Sequence, residues 1–353
     1  MNGNGAGPLI ELDHVSQVFM TRRGPIRAVD DVSLTIEAGQ ILCLVGESGS
    51  GKTTTAKMIA GLRPPSSGRM LYRGQDIAAL PKARRAEFRR AVQIVHQDPY
   101  ASLNPIRTVY QTLAAPLLAH HIVPNRRAAE ARARELLQLV ELTPPENFLR
   151  VYPHQLSGGQ RQRVSVARAL TLNPRVIVAD EAVSMVDVSL RVSLLNMLLR
   201  LREELGVTFL FITHDLAIAK YFAWSGNIGV MYLGRVIEYG RTPRVIAQPA
   251  HPYTRALLAA IPEPDPELTR TKEAMPLRGA DIPSLLALPP GCTFHPRCPL
   301  SEAGLCDLVA PELTPIGDGQ FSACHVIVRE RTGHTAERDE SGSRAVGAVG
   351  VDG

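Results

Sequence analysis

The chain has 353 residues, 45% of them hydrophobic, which is enough apolar material for two cored units. Its 39 Lys and Arg against 34 Asp and Glu leave a formal charge of +5, and the basic runs 82–90 and 125–134 read as solvated helix faces, so a nucleic-acid binder is not expected. No window approaches the ~18 uninterrupted apolar residues of a membrane span. The first residues have neither a basic nor an apolar signal region, so the expectation is a cytosolic chain, peripheral if it serves a membrane.

Residues 9–40 alternate as strands and turns do, and Ile41–Gly46 is a short apolar run ending in glycine, the pattern of a buried parallel strand. Gly46-Glu47-Ser48-Gly49-Ser50-Gly51-Lys52-Thr53 follows at once, with Thr54 entering an amphipathic stretch. Glycines at this spacing let backbone N–H groups converge on phosphate oxygens at a helix N-terminus. Lys52 is then expected to reach the β- and γ-phosphates, and the Thr53 hydroxyl to ligate Mg²⁺.

From about 98 to 173 the composition turns helical. Within that stretch Leu156-Ser157-Gly158-Gly159-Gln160 opens a further helix, with Ser157 as N-cap, and forms a second anion cradle. One nucleotide does not need two cradles from one chain, so the second is expected to serve a nucleotide held by another subunit. The apolar run at 176–179 ends in Asp180-Glu181. The strand-end aspartate suits Mg²⁺ and the neighbouring glutamate suits polarising a water, a division of labour that phosphoryl transfer uses. A helical stretch over 189–205 and an apolar strand over 208–215 follow, which with the earlier strands indicates a parallel α/β sheet.

Beyond residue 262 the chain becomes proline-rich and carries Cys292, Cys298, Cys306 and Cys324. A cytosolic setting disfavours disulfides, and paired C-x-x-C zinc knuckles are absent. Four thiols from Pro/Gly-rich loops suit an iron–sulfur cluster, a structural Zn²⁺ or plain thiols, with His295 and His325 as alternative ligands or surface histidines. Cys43 lies in the apolar strand and is expected in the core. Residues 334–353 are small and polar and are expected to be disordered.

The set "GESGSGKT", "LSGGQ", "VIVADE", Gln97 in "IVHQDPYASLNP" and His214 in "FITHD" resembles the ATP-binding subunit of ABC transporters. More narrowly, "HQDPYASLNP", "VMYLGRVIEYG", "HPYTRALLAAIP" and the C-terminal cysteines look like the oligopeptide/dipeptide importer ATPases, over residues 9–330. The resemblance implies a P-loop NTPase domain over 8–261 with a parallel-sheet core, an antiparallel β subdomain and a helical subdomain. A cysteine-containing extension over 262–333 follows. It makes Glu181 the catalytic carboxylate and His214 the γ-phosphate switch. Gln97 becomes the Mg²⁺-linked residue that senses the γ-phosphate and faces the permease. Asp187 becomes the aspartate that crosses the dimer, and Phe19 the aromatic that stacks on adenine. It further implies ATP, Mg²⁺ and a [4Fe–4S] cluster. The implied partners are a second ABC ATPase subunit (a paralogue), two permeases and an extracytoplasmic solute-binding protein, with no nucleic acid. "DEAVSMVD" departs from the family's D-E-P-T-S-A-L-D at Ala182 and Val183, a change expected to alter stiffness beside Glu181. Related "VSM" variants occur in oligosaccharide importers, which keeps that solute class open. A soluble ABC ATPase acting on nucleic acid or ribosomes is disfavoured, because such chains usually carry two cassettes.

Overall fold

The computed structural model describes residues 7–261, 276–279 and 281–333. The expected disordered tail and the start of the extension, 262–275, lie outside the described residues. In chain order the first elements are β1 (Ile10–Thr21), β2 (Gly24–Ile36), β3 (Ile41–Val45), α1 (Lys52–Ile59), β4 (Ser67–Tyr72) and β5 (Gln75–Asp76). Then come α2 (Lys82–Ala91), β6 (Val92–Val95), α3 (Pro99–Ser102), α4 (Val109–Ala119), α5 (Arg126–Leu139), α6 (Glu146–Leu149) and α7 (Gly158–Leu170). The next set is β7 (Val176–Asp180), α8 (Val188–Leu205), β8 (Thr208–Thr213), α9 (Leu216–Phe222), β9 (Asn227–Tyr232) and β10 (Arg235–Arg241). The last are α10 (Thr242–Ala247), α11 (Pro252–Ala259), β11 (Thr314–Pro315), β12 (Phe321–Ser322) and α12 (His325–Thr332).

The strands form two sheets. One is antiparallel, in the order β2-β1-β4-β5, and the other runs β11-β12-β10-β9-β3-β8-β7-β6. β3, β6, β7, β8 and β9 pair in parallel, whereas β10, β11 and β12 are antiparallel additions. The extension therefore completes the edge of the main sheet, because Glu238 and Tyr239 pair with Ser322 and Phe321.

The continuous apolar runs are explained by which face each residue takes. Ile41, Cys43 and Val45 enter one core with Ile177, Ala179, Phe209 and Phe211, against helices α4, α5, α7, α8 and α9. Leu42 and Leu44 enter the other with Val176, Val178, Leu210 and Ile212, against α1 and the antiparallel sheet. A strand covered on both faces has no use for a polar alternation. Cys43 is fully buried, as expected of a core thiol. Helices α3 to α7 follow one another between β6 and β7, and Asp98 caps the short α3.

Candidate active site

Between β3 and α1 the chain doubles back through six residues that must leave room. Gly46 has φ +150°, and a Cβ there would fall 2.1 Å from the Met231 carbonyl oxygen. Gly51 has φ +103°, and its Cβ would fall 2.4 Å from the Ala28 carbonyl oxygen. Backbone cannot yield as a side chain can, so both positions need glycine for space as well as conformation. Inside the turn the Lys52 ammonium donates to Gly46 O at 2.7 Å, Glu47 O at 2.8 Å and Ser50 Oγ at 3.2 Å. Burial pushes the Lys52 pKa down, while Glu181, Asp180 and Glu47 pull it back up. No side chain caps the N-terminus of α1, so its first N–H groups point into the turn with the positive end of the helix dipole. Ser48, Gly49 and Thr53 are exposed and Thr54 half-buried, which leaves the turn open to solvent on that side. A desolvated cation, uncapped donors and three left-handed glycines suit a polyphosphate.

The acids stand at the same end of the sheet. Thr53 Oγ1 donates to Asp180 Oδ1 at 3.0 Å, joining the start of α1 to the end of β7. Burial raises the Asp180 pKa, against the Thr53 hydrogen bond, and the Glu181 charge raises it further. Those two hard oxygens fit Mg²⁺. Glu181 adopts φ +47°, a left-handed backbone rare for a side chain of its size, with its N–H held by Ile212 O at 3.0 Å. Its carboxylate accepts from Gln97 Nε2 at 2.7 Å and lies 3.2 Å from His214 Nδ1. Gln97 follows β6 and His214 follows β8, so four adjacent parallel strands deliver the phosphate loop, Gln97, Asp180-Glu181 and His214 to their carboxyl ends. That edge is where parallel α/β sheets bind ligands.

The signature residues stay outside this constellation. Ser157 and Gln160 close a reciprocal capping box, with Gln160 N donating to Ser157 Oγ at 3.3 Å and Ser157 N to Gln160 Oε1 at 2.9 Å. Among the described residues no hydrogen bond joins 157–160 to the phosphate loop; Ser157 is exposed instead. A Cβ on Gly158 would approach Met185 O at 3.8 Å, and one on Gly159 would approach Leu190 Cδ1 at 3.3 Å. Met185, Leu190 and Val192 are 55%, 44% and 50% exposed, an unusual apolar rim for a free surface. Asp187 precedes α8 without capping it and is also exposed. Ala182 and Val183, the departures beside Glu181, are buried in the helical-side core. Phe19 is half-buried on β1, and the Arg63 guanidinium covers one face of its ring at 4.8 Å, so a stacking base has only the other face.

A family model described as ABC transporter matches residues 29–184, and one described as oligopeptide/dipeptide transporter, C-terminal region, matches residues 237–306. The chain is 45% identical over 316 residues, 90% of it and 87% of the relative, to the probable peptide ABC transporter ATP-binding protein y4tS of Sinorhizobium fredii. It belongs to the ABC transporter ATP-binding family. The putative oligopeptide transport ATP-binding protein YkfD of Bacillus subtilis is 42% identical over 326 residues, 92% of this chain and 97% of that one. Among solved structures, the dimeric ATP-binding cassette MJ0796 in a post-hydrolysis state bound to ADP and Pi aligns with a TM-score of 0.60 and 30% identity. That alignment covers 66% of this chain and 98% of the cassette.

In this ABC ATPase the expected iron–sulfur site is not formed. The four C-terminal cysteines are free thiols that feel one another electrostatically, yet among the described residues no three His, Cys, Asp or Glu side chains are assembled as a metal site. Burial pushes the Cys292 thiol up to about 12 and the Cys298 thiol up to about 11. The two histidines do not turn toward a metal either. His295 Nδ1 lies 2.9 Å from Cys292 O, and His325 Nε2 lies 2.9 Å from Val309 O. The side chains therefore do not fit the [4Fe–4S] cluster or zinc that the sequence suggested, and no chemistry is assigned to either.

Sequence reasoning passed over two residues that reach the phosphate loop from outside it. Tyr253 OH accepts from Glu47 N–H at 3.0 Å, and Arg297 Nη1 donates to Glu47 Oε2 at 3.3 Å. In the sequence Tyr253 belongs to the stretch "HPYTRALLAAIP", and Arg297 stands between His295 and Cys298. No local spacing connects either to residue 47, which lies more than two hundred positions upstream.

Proposed function

We propose that this chain is the ATP-binding and ATP-hydrolysing subunit of an ABC importer for oligopeptides or dipeptides. The observation that carries the reading is the half-built site. Thr53–Asp180 and Gln97–Glu181–His214 converge beside the phosphate loop, while Ser157 is exposed and Gly159 borders an exposed apolar rim. A second ATPase packed head to tail would bring its own signature residues to this nucleotide and cover that rim. Relatives named for peptide and oligopeptide transport, and the C-terminal match described for oligopeptide/dipeptide transporters, favour a peptide solute.

In this reading Lys52 and the loop N–H groups bind the β- and γ-phosphates. Thr53, Asp180 and Gln97 would hold Mg²⁺, which would neutralise charge on the phosphate oxygens. Glu181 polarises the attacking water and takes its proton as the bond from the γ-phosphorus to the bridging oxygen of ADP breaks. His214 orients Glu181 and the γ-phosphate, and Phe19 offers its free face to the adenine. Ser157, Gly158, Gly159, Gln160 and Asp187 act on the partner's nucleotide. The exposed side chains of Tyr100 and Ile106, just after Gln97, suit contact with a permease. Among the described residues no helix is long and apolar enough to cross a membrane, which fits a peripheral subunit on the cytoplasmic face beside two permeases. Import would further involve an extracytoplasmic solute-binding protein. Co-purification tests the assignment: two multi-span permeases and a second ATPase should accompany the tagged chain, with peptides and oligosaccharides then offered to the complex. Recovery of the chain with ribosomes or nucleic acid alone would overturn it.

A further inference from the structure

Glu47, the second residue of the phosphate loop, is held on three of its groups. Its carbonyl accepts from Lys52 at 2.8 Å, its N–H donates to Tyr253 OH at 3.0 Å, and its carboxylate meets Arg297 at 3.3 Å. Only the first partner belongs to the loop. Tyr253 opens α11, and Arg297 sits in the turn between Cys292 and Cys298. That turn is stiff: His295 N donates to Cys292 O at 2.9 Å, Arg297 N to Phe294 O at 3.0 Å and Cys298 N to His295 O at 3.2 Å. Phe294 packs edge-on to Tyr232 at 5.4 Å and to Tyr253 at 5.5 Å, and the two tyrosines lie 4.6 Å apart. Three aromatic rings thus fasten the cysteine turn to the end of β9, beside β3.

Arg297 is only 7% exposed and its Nε has no hydrogen-bond partner; its guanidinium is held by the Nη1 contacts with Glu47 and, at 3.5 Å, the Tyr232 hydroxyl, and lies over the Tyr232 and Phe294 rings at 5.9 and 5.7 Å. A guanidinium taken this far from water is a strong constraint on the one carboxylate it faces. Because the Glu47 carbonyl anchors the Lys52 ammonium, a shift of Glu47 moves the group that would bind phosphate.

We propose that Arg297 and Tyr253 are positioning residues that fix the phosphate loop through Glu47, so that the pose of the cysteine-bearing segment sets the affinity of the loop for ATP. The proposal rests on the ATP-binding reading of the loop. It gives the C-terminal region a task at the nucleotide site that needs no metal: a rearrangement of the 292–298 turn is transmitted to Lys52 through two side chains.

The test is equilibrium binding of trinitrophenyl-ATP, and its displacement by ATP, on the purified full chain. The variants are Arg297→Ala, Arg297→Lys, Tyr253→Phe, Glu47→Gln and the double Arg297→Ala/Glu47→Gln, each checked by thermal unfolding. Arg297→Ala and Tyr253→Phe are expected to weaken ATP binding about 5- to 30-fold, with Arg297→Lys recovering part of the loss. The double variant should be no weaker than Arg297→Ala alone, since both changes cut one contact. In the assembled transporter the same variants should raise the KM for ATP and leave kcat within about twofold. Should Arg297→Ala fail to fold, Tyr253→Phe decides, because it keeps the ring packing and removes only the hydroxyl. Parent-like affinity in folded Arg297→Ala and Tyr253→Phe, or additive losses in the double variant, would overturn the clamp while leaving the ATPase reading intact. A parent chain that binds no ATP at all would overturn both.

Discussion

Replacing Glu181 by glutamine removes a charge and almost nothing else. The amide oxygen can still accept from Gln97 Nε2, which now lies 2.7 Å from a carboxylate oxygen, and the other amide position still faces His214 Nδ1 at 3.2 Å. The left-handed backbone at φ +47° is set by the hydrogen bond from Glu181 N to Ile212 O and is untouched by the side chain. The structural cost is therefore that of weakening one charge-assisted hydrogen bond, about 1 kcal/mol. The kinetic cost is far larger, because a positioned general base contributes roughly 10²–10⁴ in rate, about 3–5 kcal/mol of barrier. Glu181→Gln should thus lower steady-state phosphate release by the assembled transporter at least 100-fold, leave ATP affinity within a few-fold, and accumulate an ATP-bound closed dimer visible by light scattering. Turnover above about a tenth of the parent rate would refute the assignment of Glu181 as the base. A parallel collapse of binding and turnover would refute the claim that the carboxylate acts on the water rather than on the fold.

Three further outcomes follow from the same geometry. Gly46→Ala places a methyl group 2.1 Å from the Met231 carbonyl oxygen in a left-handed conformation, so it should cost about 2–4 kcal/mol in urea unfolding and abolish nucleotide binding; parent-like melts would contradict this. Because Ser157 is exposed and makes no hydrogen bond to its own phosphate loop among the described residues, ATPase activity of the isolated chain should fall more than linearly on dilution and drop further in Ser157→Ala, with linear dependence the contrary result. His251 is fully buried, which lowers its pKa to about 3. It therefore stays neutral in the folded chain while the unfolded chain takes up a proton below pH ~6.5, so its stabilisation is lost as pH falls through that window. Between pH 7.5 and 5 the parent should lose about 2 kcal/mol more than His251→Asn, which can still accept from the Tyr253 N–H; equal losses in urea titrations at the two pH values would show that the ring is not buried neutral.

Local pattern was enough for the parts of this molecule whose cause is local. β3, β7 and β8 read as buried strands because both their faces are covered, and the capping box at Ser157 and Gln160 is a four-residue motif that closes on itself. The glycines of the phosphate loop announce a tight turn for the same reason. The cysteines misled, since residue type and spacing identify soft ligands but not whether backbone turns aim them at a common centre. The turns at 292–298 and 302–309 hold Cys292, Cys298 and Cys306, and Cys324 precedes α12; Cys298, Cys306 and Cys324 are buried and Cys292 half-buried. The contact of Arg297 with Glu47 was invisible because it depends on the extension adding β12 to β10 and packing Phe294 on two tyrosines. Nothing in either short stretch encodes that approach. The Arg63 guanidinium over Phe19 is another long-range contact of the same kind.

We propose that ATP bound at Lys52 of this chain, closed by a second subunit, drives peptide uptake. Reconstituting the co-purified complex in liposomes with ATP on the side of this chain, and measuring phosphate release and labelled-peptide uptake together, tests this. Both should require Mg²⁺-ATP, rise together with the loaded solute-binding protein, and vanish in Lys52→Ala. Peptide uptake that persists in Lys52→Ala, or ATP hydrolysis as fast from the dilute chain alone as from the complex, would contradict it.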